Sequence, residues 1–314
     1  MIIKECENYK YLGLWYNKQG NWTTHLKKLK GRCEEAIQTI LFLTQDYKIK
    51  GIEMKTIWTM IDTFLLPIIL YGTETMTMTK TEMDDFNALL ANTIKRILGV
   101  PTSTPNDSIL IETGYKPLIN IIEERRLLYE QKIINYPEEN LTKQIYNEEN
   151  NYWKKENEAL KKKLEIDSNL MLHNKARLKK RIRFMQDILW KSNINETITM
   201  KSKINYLVRN TKRNITKRPK YMEELTCREA KNILIYRTRM MKVKENYKNN
   251  YSNMTCRWCK LENESQNHIL EECEEFPIKG HGIKTSDIFN EDHHKLKIIT
   301  KTLGEIYKEL DKKS

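Results

Sequence analysis

A chain of 314 residues is long enough to bury a sizeable core and to hold more than one domain. Charged residues make up 31% and hydrophobic residues 39%, and the longest apolar run, residues 64–71, contains Pro67 and is too short to cross a bilayer, so no membrane partner is expected. With only 10 glycines and 7 prolines, composition favours helices over a turn-rich β fold.

The chain opens on an extended stretch. Tyr9, Tyr11, Leu12, Leu14, Trp15 and Tyr16 are aromatic or apolar, and Gln19-Gly20-Asn21 reads as a turn, which gives a short N-terminal β hairpin. A helix is predicted from about Thr23, where Leu26, Leu29, Cys33, Ile37, Ile40 and Leu43 recur at steps of three and four. A second apolar helix follows Gly51, with Ile57, Trp58, Ile61, Leu65 and Ile68, and Pro67 is expected to interrupt it. From Thr81 to Gly99, Met83, Phe86, Leu90, Ile94 and Ile97 form one stripe. Thr81 with Asp84 resembles a capping box, and Gly99 and Pro101 mark the end. A further helix spans about 117–135, with Glu123, Glu124, Arg125 and Arg126 on its polar face.

Residues 137–167 turn hydrophilic, as in Glu148-Glu149-Asn150-Asn151 and Lys161-Lys162-Lys163, and read as a solvated helix or linker at a domain boundary. The basic segment follows. Between Leu170 and Lys220 there are fifteen Lys or Arg and only two acids, Asp187 and Glu196, so this stretch alone accounts for the net charge of +13. Leu178, Ile182, Met185 and Leu189 hold a helical spacing inside it. So concentrated a field calls for a polyanionic partner, RNA and/or DNA. The contact candidates are Lys175, Arg177, Lys179, Lys180, Arg181, Arg183, Arg209, Lys212, Arg213, Lys217 and Arg218, with Trp190 and Tyr206 interleaved, either to stack on bases or to pack on the apolar face. Thr226 with Glu229 resembles a capping box that starts a helix through Ile233, Leu234 and Met240.

Beyond that helix lies Cys256-Arg257-Trp258-Cys259, then His268, then Cys273: C-x2-C-x8-H-x4-C. Three thiolates and one imidazole complete a tetrahedral set for Zn2+, and a set with no open position is structural rather than catalytic. His268 and Cys273 are spaced as on one helical face, and the polar residues 262–267 between them suit a loop. Trp258 inside the knuckle is a candidate nucleic-acid contact, with packing over the metal site an equal contender. Cys6, Cys33 and Cys227 are scattered elsewhere, and no N-terminal apolar segment for secretion is present, so a reducing intracellular compartment, nuclear or cytoplasmic, is expected.

Several stretches together resemble the C-terminal part of reverse transcriptases from LINE-type, non-LTR retrotransposons. They are Tyr11-Leu12-Gly13-Leu14; Leu66-Pro67-Ile68-Ile69-Leu70-Tyr71-Gly72-Thr73-Glu74; Arg96-Ile97-Leu98-Gly99-Val100-Pro101; Ile111-Glu112-Thr113-Gly114-Tyr115-Lys116-Pro117; Tyr236-Arg237-Thr238-Arg239; and the cysteine–histidine cluster. The resemblance implies that the first strands end a palm, that the following helices form a thumb holding template and primer, and that the cluster helps bind nucleic acid. A polymerase needs carboxylates for two metal ions. The only Asp-Asp pair, Asp84-Asp85, falls at the start of an amphipathic helix, where acids complement the helix dipole, so no catalytic residue is assigned. Fingers and most of the palm would lie upstream, which marks the chain as a truncated or separately encoded remnant. Asp287, Asp292 and Lys295 do not complete the pattern of the nuclease found in some relatives.

The expected architecture is mainly α: palm-end strands at 1–22, a thumb-like bundle at 23–136, a charged helical linker at 137–169, the basic segment at 170–220, a helix with the zinc knuckle at 221–275 and a helical tail at 276–314. The expected function is nucleic-acid binding without polymerase activity. A scaffold that docks on an intact reverse transcriptase chain or an acidic protein, and a decayed element without a selected role, stay open beside it.

Overall fold

A computed structural model describes residues 5–45, 51–149, 151–172, 174–278, 282–290 and 292–312. Residues 1–4 of the expected strand region, and the side chain of Leu43, lie outside the described residues. The protein is mainly helical with one two-stranded antiparallel sheet. It divides into two compact units, residues 1–39, 61–90 and 116–193 in the first, and residues 40–60, 91–115 and 194–314 in the second.

The hairpin of the first unit pairs Asn8–Tyr11 (β1) with Leu14–Asn17 (β2), Tyr9 opposite Tyr16 and Lys10 opposite Trp15. Its turn is Leu12-Gly13, and the turn expected around Gln19-Gly20 follows β2. Leu12 and Gly13 both take positive φ, 45° and 88°, as a two-residue connection matched to strand twist requires. Gly20 closes the end of β2, donating its N–H to the Asn17 carbonyl at 3.1 Å. Two of the stretches quoted above meet here. The Tyr71 hydroxyl donates to the Leu12 carbonyl at 2.6 Å, and Gly72 lies so close to Leu14 that a Cβ would fall 2.6 Å from its Cδ2. Pro67 interrupts its helix as expected: a wider π-turn over Ile61–Leu65 gives way to the short Leu66–Ile69 turn, with the proline in its first two positions.

The Lys80–Leu98 helix is capped two residues earlier than the sequence pattern indicated. Thr79 and Glu82 form the reciprocal pair, the Glu82 N–H donating to Thr79 Oγ1 at 3.3 Å and the Thr79 N–H to Glu82 Oε2 at 2.9 Å. Gly99, at φ 62°, ends it.

The charged stretch expected at 137–169 is helical and largely exposed, as one of its two readings had it, but it also sends apolar side chains into the first unit's core. Leu160, Leu164 and Ile166 are buried with Leu127, Met171, Leu178, Ile182 and Met185. The polar face of the Leu118–Ile134 helix is only partly solvated: Arg125 is exposed. Glu123, Arg126 and Glu130 are buried and joined to Lys163, Glu156 and Lys161 at 2.7, 3.1 and 3.2 Å. The Tyr152–Lys163 helix brings the complementary charges with it and keeps a solvent-facing side, with Tyr152, Lys155, Glu158, Lys162 and Lys163 exposed and only Asn157 and Leu160 buried.

In the second unit, Met54–Met60 packs on Tyr221–Glu224 and on Cys227–Arg237, and the latter carries the expected Thr226–Glu229 capping box. The expected tail is a packed helix, His293–Lys312, with Leu296, Ile299, Leu303, Ile306 and Leu310 buried. It is tied to Cys227–Arg237 by Asn232, whose side chain donates to the Thr300 carbonyl at 3.0 Å and whose own carbonyl accepts from the Tyr307 hydroxyl at 2.8 Å. Asp292 and Asp287 act as local caps, accepting from the His294 N–H at 3.0 Å and from the Lys284 N–H at 2.9 Å.

Candidate functional site

The cysteine–histidine cluster is built by a short knuckle and a π-turn. Thr255 bridges Asn263, the Cys256 N–H donates to the Glu262 carbonyl at 2.7 Å, and the Lys260 N–H returns to the Cys256 carbonyl at 3.3 Å. Lys260 takes the left-handed conformation that closes this turn, φ 60°. The residues His268–Glu272 form one wide turn, and the Cys273 N–H donates to the His268 carbonyl at 2.7 Å. That five-residue closure sets His268 and Cys273 on a common side, where a regular helix would rotate them apart.

The four ligand atoms lie within 4.8 Å of one another. Cys256 Sγ is 3.8 Å from Cys273 Sγ, and Cys259 Sγ is 3.3 Å from His268 Nε2. Cys256, His268 and Cys273 are buried and Cys259 is half-buried, so one cation would touch all four with little room for water. Backbone N–H groups of Glu262 and Leu261 bring the Cys259 thiol down to about 6, whereas burial pushes Cys273 up to about 11. His268 Nδ1, facing away from Cys259, lies 3.5 Å from Glu272 Oε2, the place of a carboxylate that fixes a ligating ring. These four residues could hold a metal ion.

The polar run between the ligands is a loop over residues 262–265, with Glu262 and Asn263 exposed, but part of it turns inward. Glu264 and Gln266 are buried. Glu264 receives both the Arg257 guanidinium, Nε at 2.9 Å and Nη2 at 2.8 Å, and the Arg257 backbone N–H at 3.0 Å. The Gln266 amide donates to the Tyr206 hydroxyl at 2.9 Å and the Tyr236 carbonyl at 3.3 Å. Trp258 is half-buried and its ring meets Phe276 edge-on, centroids 4.7 Å apart, as the packing alternative anticipated.

The basic segment does not stand as one free cationic surface. Glu124 binds Arg183 with both carboxylate oxygens, at 2.7 and 2.9 Å, and lies 3.4 Å from Lys179. Arg181 pairs with Glu165 at 2.8 Å, and Arg213 with the buried Glu112 at 3.0 Å. Arg218 donates to the Thr113 carbonyl at 2.6 Å, with its guanidinium 4.5 Å from the Trp58 ring centre. The acids that the local sequence lacks come from distant parts of the chain. Trp190 is buried, and Tyr206 is engaged with Arg239, Phe289 and Gln266, so neither is offered to a base.

Among the described residues, Lys175, Arg177 and Lys180 in the first unit and Arg209, Lys212 and Lys217 in the second are exposed and have no carboxylate partner. The sequence reading missed what lies beside the first three. Arg177, Lys180, Phe184, Ile188 and Lys191 recur at steps of three and four along Lys175–Met200 and share one face. On that face Phe184 is 56% exposed and Ile188 45%. The signal was present, since both residues fall off the Leu178–Ile182–Met185–Leu189 stripe that makes the core.

Compared with known proteins, the chain matches no family model, no curated protein and no solved structure.

Proposed function

We propose that this protein binds RNA and/or DNA as the C-terminal, non-catalytic portion of a non-LTR reverse transcriptase, with a structural zinc ion in its cysteine–histidine cluster. The observation that carries the binding reading is the exposed face of Lys175–Met200. Three cations without internal carboxylates, Arg177, Lys180 and Lys191, surround an exposed aromatic ring, Phe184. Cations track a phosphate backbone without reading sequence, and an exposed ring stacks on any unpaired base. Such a surface favours single-stranded nucleic acid over an acidic protein, because two apolar side chains would otherwise stay wet.

Stretches that carry the resemblance meet in the fold. Tyr11-Leu12-Gly13-Leu14 contacts Tyr71-Gly72, and Glu112 pairs with Arg237, so residues far apart in sequence serve common cores. Asp85 pairs with Lys30 at 3.0 Å, which accords with a surface role rather than metal binding for the Asp-Asp pair.

Zinc is the metal favoured by the donor set. Three thiols and an imidazole are soft to borderline donors, unsuited to magnesium or calcium. A tetrahedron with metal–sulfur bonds of about 2.3 Å has sulfur–sulfur edges of about 3.8 Å, and the Cys256–Cys273 separation is 3.8 Å. Bound zinc would lower the Cys273 thiol to its thiolate and convert about 10 kcal/mol or more of binding into folding of the knuckle.

A mobility-shift titration of the full chain against a single-stranded oligonucleotide, over a salt series, tests the reading. Six phosphate contacts give a slope of log K on log salt of roughly −4 for a single strand. Absence of binding at low salt would overturn it in favour of a protein scaffold or an element without a selected role.

A further inference from the structure

In the second unit, Arg209, Lys212, Arg213 and Arg237 line one cavity of about 650 Å³ together with Phe289 and Asn290. Its volume falls within the roughly 300–1,000 Å³ of small-molecule sites. The inner pair of cations is fixed. Glu112 lies between them, 3.0 Å from Arg213 and 3.2 Å from Arg237, and both guanidinium groups also donate to carbonyls, those of Ile111 and Ile288, at 2.9 and 3.0 Å. The outer pair, Arg209 and Lys212, is exposed and has no carboxylate partner among the described residues.

The charges do not cancel. The buried Glu112 offsets one inner cation. Asp287, the carboxylate that lines the cavity, lies 3.8 Å from Lys295, which offsets it in turn. Among the described residues about three positive charges are left over, enough to neutralise a phosphomonoester of about −1.5 to −2 at neutral pH and well above the single charge of a backbone phosphodiester. Phe289 is half-buried in the wall, its ring flanked by the Arg237 guanidinium at 4.9 Å and by Tyr206 at 5.9 Å, so a base would meet what stays open of it, and the amides of Asn210 and Asn290 line the same space. An aromatic surface with amide donors and acceptors suits a base edge and has no use for a bare oxyanion.

We propose that this cavity binds the phosphomonoester of a nucleotide, either free or at the 5′ end of a strand. The site lies wholly in the second unit and needs neither the Phe184 face nor the metal. It therefore stands or falls apart from backbone binding.

The test uses the full-length, metal-loaded chain and two labelled single-stranded hexanucleotides that differ only in a 5′ phosphate, with free CMP and inorganic phosphate as competitors. We expect the phosphorylated hexamer to bind about tenfold more tightly, as two charge-assisted contacts allow. The double variant Arg209→Gln/Lys212→Gln, on exposed residues, should abolish that preference. Arg177→Gln/Lys180→Gln should weaken both hexamers equally and leave the ratio intact. Equal binding of the two hexamers together with no binding of CMP would overturn the proposal. Competition by inorganic phosphate as strong as by CMP would overturn its nucleoside part. If CMP binds while neither hexamer does, the cavity is a site for free nucleotide and the backbone-binding reading falls instead.

Discussion

The Arg237 guanidinium lies 3.2 Å from Glu112, and both side chains are shut off from solvent, with relative exposures of 1% and 0%. Burial pushes the Glu112 carboxyl up, but Arg237, Arg213 and the Tyr221 hydroxyl together outweigh it and hold the group below the usual carboxylate range. A carboxyl depressed by folding contributes stability that is present above its unfolded pKa of about 4.3, and that is lost as pH falls through that value towards the folded one. Denaturant titrations should therefore show the second unit weakening below about pH 4. Glu112→Ala should cost about 3–5 kcal/mol at pH 7, because it leaves the buried Arg237 and the half-buried Arg213 without their anion. Glu112→Gln should flatten the acid limb of the stability curve. A variant as stable as the parent at pH 7 would show that the pair is not required.

Gly114 sits two residues along, at φ 70°, and an added Cβ would lie 2.8 Å from the Arg218 backbone nitrogen. Backbone cannot retreat as a flexible side chain can. Gly114→Ala should destabilise by about 1–3 kcal/mol, combining the left-handed strain with the displacement of Arg218 from Trp58. Thermal unfolding measures it, and an unchanged midpoint would mean that the segment around Arg218 moves without penalty.

Local signals in the sequence were legible where one element decides the outcome. The Thr226–Glu229 cap, the Gly99 terminator, the break at Pro67 and the cysteine–histidine spacing all follow from rules that act within a few residues. What was not legible depended on partners far along the chain. Residues 152–163 were legible as a charged, mostly exposed helix, but not the pairing of Lys161 with Glu130 and of Lys163 with Glu123 on another helix. The field of the basic segment looked uncancelled for the same reason. Glu124 is 59 residues from Arg183, and Glu112 is 101 from Arg213. The turn between the strands was not marked in the sequence because Leu12 is an unusual residue for positive φ, and it holds that conformation with Tyr71 bonded to its carbonyl.

Cys259 combines the lowered thiol with direct contact to His268. Cys259→Ser should abolish tight zinc binding, measured by competition with a chromogenic chelator. It should also raise amide exchange across residues 256–273 while leaving the Leu118–Ile134 helix protected. Chelation of the parent protein should reproduce the same local pattern. If amide exchange in the knuckle is the same with and without metal, the Arg257–Glu264 clamp alone holds it, and zinc has no structural part.

Phe184 separates the two outcomes for the exposed helix face. It is 56% exposed and lies off the core stripe, so Phe184→Ala should leave stability within about 0.5 kcal/mol. Loss of one stacking platform should weaken single-stranded binding by about 1–3 kcal/mol, with the salt slope unchanged, since no phosphate contact is removed. The triple variant Arg177→Gln/Lys180→Gln/Lys191→Gln should do the opposite, reducing the slope by about 2 as three counterion releases disappear. Equilibrium binding of both variants across a salt series resolves the two effects. If Phe184→Ala costs nothing while the triple variant lowers affinity, nucleic acid lies on the cations without stacking. If neither changes affinity, the face serves another partner.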